Sequence, residues 1–356
     1  MINRRLFLGG VTLAAGVPLL GAAGCATRPQ SITPTSGTAN VGALPVSVTN
    51  NSGRYGDDEV LVYVVGTDLV NDGHCWVDSN GTPHPVSVDD NTDDGYTDYS
   101  IPLGALPADM TLPYMSGRIY FALGGKLGIR VVEDGNGNPA LQLPAGWVEA
   151  DHGFDVLHDS VEFTHNEDGM FCNTSMVDQF SVPIGIRLTG DADQSTGFLL
   201  PGGRDAIFET LAADPDFSVL VFDDHRIIAP GHALDAGIFP TDYYDPYVDR
   251  VWSHYTGTDL SVTTNAGTFT GRVEGDQLLF DGGVSPIPRP STRDVFFCDG
   301  PAEFYQADIA NRYAGVFHDH TEDGKAYGFA FDDVEDFASY VQDHGPSGLE
   351  ITLTPF

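Results

Sequence analysis

Lysine is nearly absent from this chain of 356 residues. Lys126 and Lys325 are the only two, and Lys and Arg together number 16 against 51 Asp and Glu, for a formal net charge of −35. A chain this poor in cations has no basic patch with which to displace counterions from phosphates. Sequence-independent binding of nucleic acid is therefore excluded, and anionic membrane surfaces are disfavoured. Cysteine is scarce too, with four residues. Once Cys25 is set aside, Cys75, Cys172 and Cys298 allow at most one disulfide, and no CxxC pair is present to support a zinc site. No G-x-S-x-G elbow, P-loop or dinucleotide-binding glycine pattern occurs. The 42 glycines and 23 prolines argue against long helices, while 21 Phe and 14 Tyr are too many for a chain that never collapses.

What abounds is carboxylate. An acidic, lysine-poor surface reads as adaptation to concentrated salt, where screening removes self-repulsion; the plainer alternative is an ordinary acidic exported protein. Export itself is written into residues 1–25. Arg4-Arg5 precedes Leu6-Phe7-Leu8, an apolar run follows to Leu20, and small residues lead to Cys25. The order resembles a twin-arginine signal, and Ala22-Ala23-Gly24-Cys25 resembles a lipoprotein cleavage box with Cys25 lipidated. The run is too short and glycine-rich for a good membrane span. Residues 26–42 read as a flexible tether, so an extracellular or cell-surface protein touching the membrane only through a lipid anchor is expected.

From 43 to 199 the sequence reads as short strands parted by turns. Leu44–Val48 alternates, Val60–Val65 is a continuous β-branched run of the kind buried on both faces, and Arg118–Leu123 is a further strand. Near Gly202 the pattern changes. Arg204–Ala213 and Tyr247–Tyr255 have helical spacing, Phe217–Phe222 reads as a buried strand, and Ser261–Thr263 and Gly267–Val273 as strands. Residues 200–308 are read as an inserted, smaller mixed α/β domain. A short helix at Asp308–Tyr313 and strands at Val316-Phe317, Ala326–Phe331 and Leu349–Leu353 then complete the β domain over 309–356. The expected fold is mainly β, a sandwich or flattened barrel with that insertion.

With so many carboxylates, the informative ones sit among apolar neighbours, where burial tunes a general acid. Glu162 lies between Val161 and Phe163, and Asp178 between Val177 and the segment leading to Phe180. Each alone also fits the wet face of a strand. Glu162-Phe163-Thr164, followed by Asn173-x-Ser175-x-Val177-Asp178-x-Phe180-x-x-Pro183-Ile184, resembles the core signature of the glycoside hydrolase family 64 β-1,3-glucanases, relatives of the thaumatin-like proteins. Leu44-Pro45-Val46, Ser116–Phe121 and Ala326–Val334 match in the same order, so the resemblance spans 44–356. Plant thaumatin-like proteins are rich in disulfides and this chain is not, which favours the bacterial glucanase branch.

The resemblance implies a thaumatin-like domain and single-step hydrolysis of β-1,3-glucan with inversion in an acidic groove between the domains, without cofactor or metal and as a monomer. Glu162 is then the general acid and Asp178 the general base. Thr164, Asn166 and Phe171 are implied substrate contacts, Asn173 either contacts sugar or holds the bend, and Asp333, paired with Asp332, borders the cleft in a secondary or structural role. Tyr243, Tyr244 and Trp252 are candidates for an opposite wall, against a core role for Trp252. A non-catalytic glucan-binding protein is the alternative. A regular hairpin turning at Glu167-Asp168 would set Glu162 opposite Asn173 and leave Asp178 roughly 16 Å away, so catalysis demands a break between Asn173 and Val177.

Three other constellations are weaker. His318-Asp319-His320 with Glu322 and Asp323 has the look of a metal cluster, but the turn Thr321–Gly324 makes a solvated hairpin tip the better reading. Asp90-x-Thr92-x-Asp94-Gly95 opens like a calcium loop, yet Ile101 stands where the closing Glu belongs. Asp223–Arg226 reads as an exposed loop. The acidic composition carries one direct expectation: the unfolding midpoint should rise from dilute buffer to molar NaCl, and a protein at least as stable in dilute buffer would remove the salt-adaptation argument.

Overall fold

The computed structural model describes residues 42–264, 267–295, 301–333 and 336–356. The leader, Cys25, the tether up to residue 41 and Cys298 lie outside them. Two sheets dominate the β part, and this is a mainly β protein. The larger is antiparallel, with strands in the order Tyr340–Asp343, Gly169–Thr174, Leu157–Asn166, Met115–Leu123, Val60–Asp68, His74–Val77 and Pro83–Pro85; Ile101–Pro102 pairs beside Val60–Asp68. The smaller runs Asp193–Thr196, Ile184–Thr189, Gly348–Leu353, Leu44–Asn50 and Thr111–Leu112. Within it Leu44–Asn50 and Gly348–Leu353 pair in parallel, Val46 opposite Leu349, so two segments about 300 residues apart lie side by side.

Strand alternation builds the core between these sheets. Val60, Val62 and Val64, then Ile119, Phe121 and Leu123, then Val161 and Phe163 meet Ile184, Ile186, Leu349 and Ile351 of the other sheet. The β-branched run is buried on both faces because Tyr63 and Val65 are covered on the far side by Tyr99, Leu127, Ile129 and Val131. Gly66 and Gly117 pair where two strands come very close: a Cβ on Gly66 would stand 2.2 Å from the Ser116 carbonyl oxygen. Cys75 and Cys172 are buried free thiols, and burial pushes each up to about 12.

A second core lies in the stretch read as the insertion. Helices Gly203–Ala213 and Asp245–Gly257 contribute Ile207, Phe208, Leu211, Val248 and Val251. A four-stranded sheet of Leu260–Thr264, Gly267–Glu274, Gln277–Phe280 and Ile287–Pro288 packs beside the second helix. Tyr243, Tyr244 and Trp252 belong to this core and form no groove wall, because the helix turns its apolar stripe inward. Phe217–Phe222 is a short 3-10 turn, Ser218–Leu220, followed by only two strand residues.

The expected strand at Val316-Phe317 is instead the middle of a helix, Arg312–His320, whose Tyr313 and Phe317 join the same core at helical spacing. Ala326–Phe331 is turn and irregular chain. Two residues apart on a helix, His318 and His320 diverge. His318 Nε2 lies 3.2 Å from the Ala326 carbonyl and His320 Nδ1 2.7 Å from that of Val316, and no metal-binding group forms among the described residues. Asp90 and Asp94 are occupied with turn hydrogen bonds, from Ser87 N and Tyr96 N at 2.8 and 3.1 Å.

The Asp223–Arg226 loop is not simply exposed. Arg226 is 1% exposed and donates to the carbonyls of Gly146, Phe154 and Val156, fastening the 144–156 loop of the β part to the second unit. Burial draws its guanidinium down to about 10, against nearby Asp159, Asp151 and Asp155, so it stays charged at neutral pH. Replacing Arg226 with Met should cost about 3 kcal/mol or more in denaturant unfolding, because several buried carbonyls lose their donor together; a loss under about 1 kcal/mol would contradict that role.

Candidate active site

Glu162 owes its place to strand alternation. Val161 and Phe163 are drawn into the core, so Glu162 between them must face the opposite side of the large sheet. Register sets its neighbours there, Arg118 on one side and Asn173 on the other. Asn173 Nδ2 donates to Glu162 Oε2 at 3.1 Å, and Arg118 Nη2 to Oε1 at 2.5 Å. Arg118 Nη1 donates to Tyr120 Oη at 3.2 Å on the same strand, which fixes the guanidinium plane.

Asp178 reaches this spot through a break in the ladder. Pairing along Gly169–Thr174 ends at Thr174; Ser175 bridges in parallel to Tyr327, and Met176 N–H donates to the Tyr327 carbonyl at 2.8 Å. The chain then crosses to the second unit, where Gln179–Phe180 pairs with Arg226–Ile228. The crossing returns Asp178 to the face that Glu162 occupies. Asp178 Oδ2 is 3.9 Å from Arg118 Nη2. Both ion pairs end on that one nitrogen, so Glu162 Oε1 and Asp178 Oδ2 are at most about 6.4 Å apart.

The other oxygen of Asp178 is held from the second unit. His232 Nε2 lies 2.8 Å from Oδ1, and the imidazole stacks on Trp147 with centroids 4.0 Å apart. Burial works against ionisation of Asp178, but the His232 hydrogen bond and the Arg118 charge outweigh it and hold the carboxyl below the usual Asp range. The pair is not sealed: the Glu162 and Asp178 side chains keep 29% and 34% of their exposure. Pro144, Trp147, Ser160, Ser175 and Gln179 complete the pocket around them. The arrangement offers two carboxyl groups across a small gap, which suits proton donation and abstraction on one bound molecule.

A sequence model described as β-1,3-glucanase, for glycoside hydrolase family 64, matches residues 42–302 and 299–353. This chain belongs to glycoside hydrolase family 64. Glucan endo-1,3-beta-glucosidases of Arthrobacter sp. (strain YCWD3) and Cellulosimicrobium cellulans are each 30% identical over 88% of the chain, which spans 65% of their length. A laminaripentaose-producing β-1,3-glucanase solved in complex with laminaritetraose is similar at a TM-score of 0.77 and 32% identity, over 88% of this chain and 99% of that one. The family 64 β-1,3-glucanase domain of Clostridium beijerinckii also gives 0.77, at 26% identity, over 91% of this chain and all of that one.

The residues that the family resemblance marks for substrate do not gather at one point. Thr164 hydrogen-bonds Ser116 across strands at 2.8 Å, one step along the sheet face from Glu162. Phe171 stands opposite Thr164 and meets His344 edge to face. Asn173 grips Glu162 itself. Asn166 is further off, its side-chain oxygen accepting from Asp168 N in the hairpin turn at 2.9 Å. Asp332 is fully buried and accepts from Gly328 N and Phe329 N at 2.9 and 2.7 Å, a structural task. Asp333 is partly buried, and burial first, then the neighbouring Asp332, holds its carboxyl above the usual range.

Sequence reasoning missed Arg118, His232 and Trp147 as site residues. Arg118 was within reach, since register pairs it with Glu162; Trp147 arrives from a remote loop and His232 from the Pro230–Asp235 helix. Because Arg118 helps keep Asp178 ionised, Arg118→Met should move the Asp178 carboxyl titration to higher pH, read by carbon-13 NMR; an unmoved or lowered midpoint would show that the guanidinium does not act on it.

Proposed function

We propose that the protein hydrolyses β-1,3-glucan by single displacement with inversion, using Glu162 as general acid and Asp178 as general base and no cofactor. One observation carries the reading: two carboxyl groups from separate segments converge on a single guanidinium while both stay open to solvent. Asp178, held ionised, takes a proton from water through Oδ2 as the water oxygen bonds to the anomeric carbon. Glu162, which takes a proton from solvent once its ion pair with Arg118 has opened, gives that proton to the departing glycosidic oxygen as that C–O bond breaks. The ceiling of about 6.4 Å applies to the nearest oxygens only, so it is compatible with the carboxyl spacing of roughly 6.5–9.5 Å that an inverting water needs.

The sheet face supports a long substrate. One cross-strand row runs Arg118, Glu162, Asn173 and Tyr340, one residue per strand, at about 4.8 Å per step; beyond Arg118 it is closed over by the residues that cover Val65. The next row carries Thr67, Ser116, Thr164, Phe171 and Gln342, none of them fully buried. A glucan lying across the strands would meet Thr164 and Phe171 on its way past Glu162, with Asn173 orienting the acid, Asn166 one row further along its strand and Asp333 at the rim.

The proposal includes a thaumatin-like β-sandwich with the unit at 200–308 inserted, a groove between the two, export by a twin-arginine-type signal, an anchor at Cys25 and a monomeric state. Because Arg118 occupies Glu162 Oε1 in the free protein, catalysis requires that ion pair to open when glucan binds; a non-catalytic glucan binder would leave it closed. Glu162→Gln and Asp178→Asn should each lower the release of reducing ends from laminarin about a thousandfold or more while pull-down by insoluble glucan persists. Proton NMR of the first product should show the α-anomer. Wild-type turnover in Glu162→Gln would reject the acid, and an initial β-anomer would reject inversion.

A further inference from the structure

We infer that His232, supplied by the second unit, is a positioning residue that selects Oδ2 of Asp178 as the atom receiving the water proton; this rests on the assignment of Asp178 as base. An ionised carboxylate can only accept hydrogen bonds, so the contact at 2.8 Å requires the hydrogen on Nε2 of His232. Oδ1 is thereby occupied, and the oxygen left toward Arg118 and Glu162 is Oδ2.

The imidazole is itself constrained. It stacks on the Trp147 indole with planes 15° apart, and Trp147 belongs to the loop that buried Arg226 pins through the Gly146, Phe154 and Val156 carbonyls. The backbone is tied as well: the Ala229 N–H, at the cap of the Pro230–Asp235 helix that carries His232, donates to the Asp178 carbonyl at 2.9 Å. Main chain and side chain of one segment, 229–232, thus grip the same aspartate, which leaves its carboxylate little freedom to rotate.

The titratable groups around the Asp178 carboxyl are Arg118 and Tyr120 from the Met115–Leu123 strand, Glu162 from the next strand, Tyr313 from the Arg312–His320 helix and His232, with buried His158 and Asp159 lining the same pocket. Of these, His232 and Arg118 favour the ionised carboxylate, and only His232 hydrogen-bonds it. Loss of the His232 donor leaves burial less opposed, so the base should protonate at higher pH.

His232→Phe keeps a ring on Trp147 and removes the donor; His232→Gln keeps a donor at similar reach and removes the ring. In the Phe variant, kcat on laminarin should fall about 10- to 100-fold with KM little changed, and the acid limb of the pH profile should move up by about one unit. The Gln variant should recover most of both. Asp178→Asn should show no further loss when combined with His232→Phe. A Phe variant with wild-type kcat and an unmoved acid limb, beside an inactive Asp178→Asn, overturns the role of His232 alone; an active Asp178→Asn overturns the base assignment beneath it. Should the Phe variant not fold, the wild-type imidazole nitrogen-15 spectrum decides: hydrogen on Nε2 at the working pH is expected, and its absence overturns the inference.

Discussion

The site depends on one guanidinium. Two carboxylates within about 6 Å would repel by about 3 kcal/mol at an effective dielectric near 20, less where water enters, and each would drift toward solvent or pick up a proton. Arg118 sits between them and removes that penalty, while Tyr120 and the strand pleat keep it from following either one away. The same cation has opposite consequences for the two proposed roles. It favours an ionised Asp178, as a base requires, and it occupies the oxygen through which Glu162 would act as acid. An enzyme built on this pair must therefore reorganise the Glu162 side on binding glucan and can leave the Asp178 side untouched.

Scarcity of cations makes their positions informative. The surface is dominated by carboxylates, yet Arg204 and Arg226 are 3% and 1% exposed. Arg204 donates to the Ser181 and Asp224 carbonyls and lies over the rings of Phe208 and Phe356, and Arg226 gathers the carbonyls of the 144–156 loop. These arginines join segments far apart in sequence through directed donors. A surface can thus become acidic without loosening them, because they are held by backbone oxygen atoms and aromatic faces that surface substitutions do not touch.

What could be read from sequence followed from short-range rules. The β-branched run at Val60–Val65 and the strand at Arg118–Leu123 were legible in the large sheet, alternation at Leu44–Val48 in the smaller one, and helical spacing marked the helices at 203–213 and 245–257. The demand for a break after Asn173 followed from the 3.3 Å rise of a strand, and Ser175 meets it. The failures share a cause. Val316-Phe317 looked like a strand because two apolar residues carry no period by themselves, and the Tyr313–Phe317 spacing that marks the helix was split between two readings. Arg226 looked like loop because its neighbours are Asp223, Asp224 and His225, and nothing in that run reports a cluster of carbonyls some 70 positions earlier. His232 and Trp147 were illegible for the same reason: the His232–Asp178 hydrogen bond and the Trp147–His232 stack exist only after a loop and a helix remote in sequence meet.

That meeting explains why the second unit cannot be a passive appendage. The large sheet by itself provides Glu162, Arg118 and Asn173, all from neighbouring strands in fixed register. Asp178 belongs to the connection that leaves that sheet, and what fixes it beyond Arg118 comes from outside those strands: the Ala229 amide and the His232 ring, which stacks on Trp147. The gap between the two carboxyl groups is then a distance between two elements, one end set by a sheet and the other by the segment 229–232. A gap of that kind changes with any shift of that segment, and under the proposed mechanism the water it holds tolerates errors of well under an ångström. Tight fastening by a buried arginine and three carbonyls is the physical condition under which such a gap keeps its width.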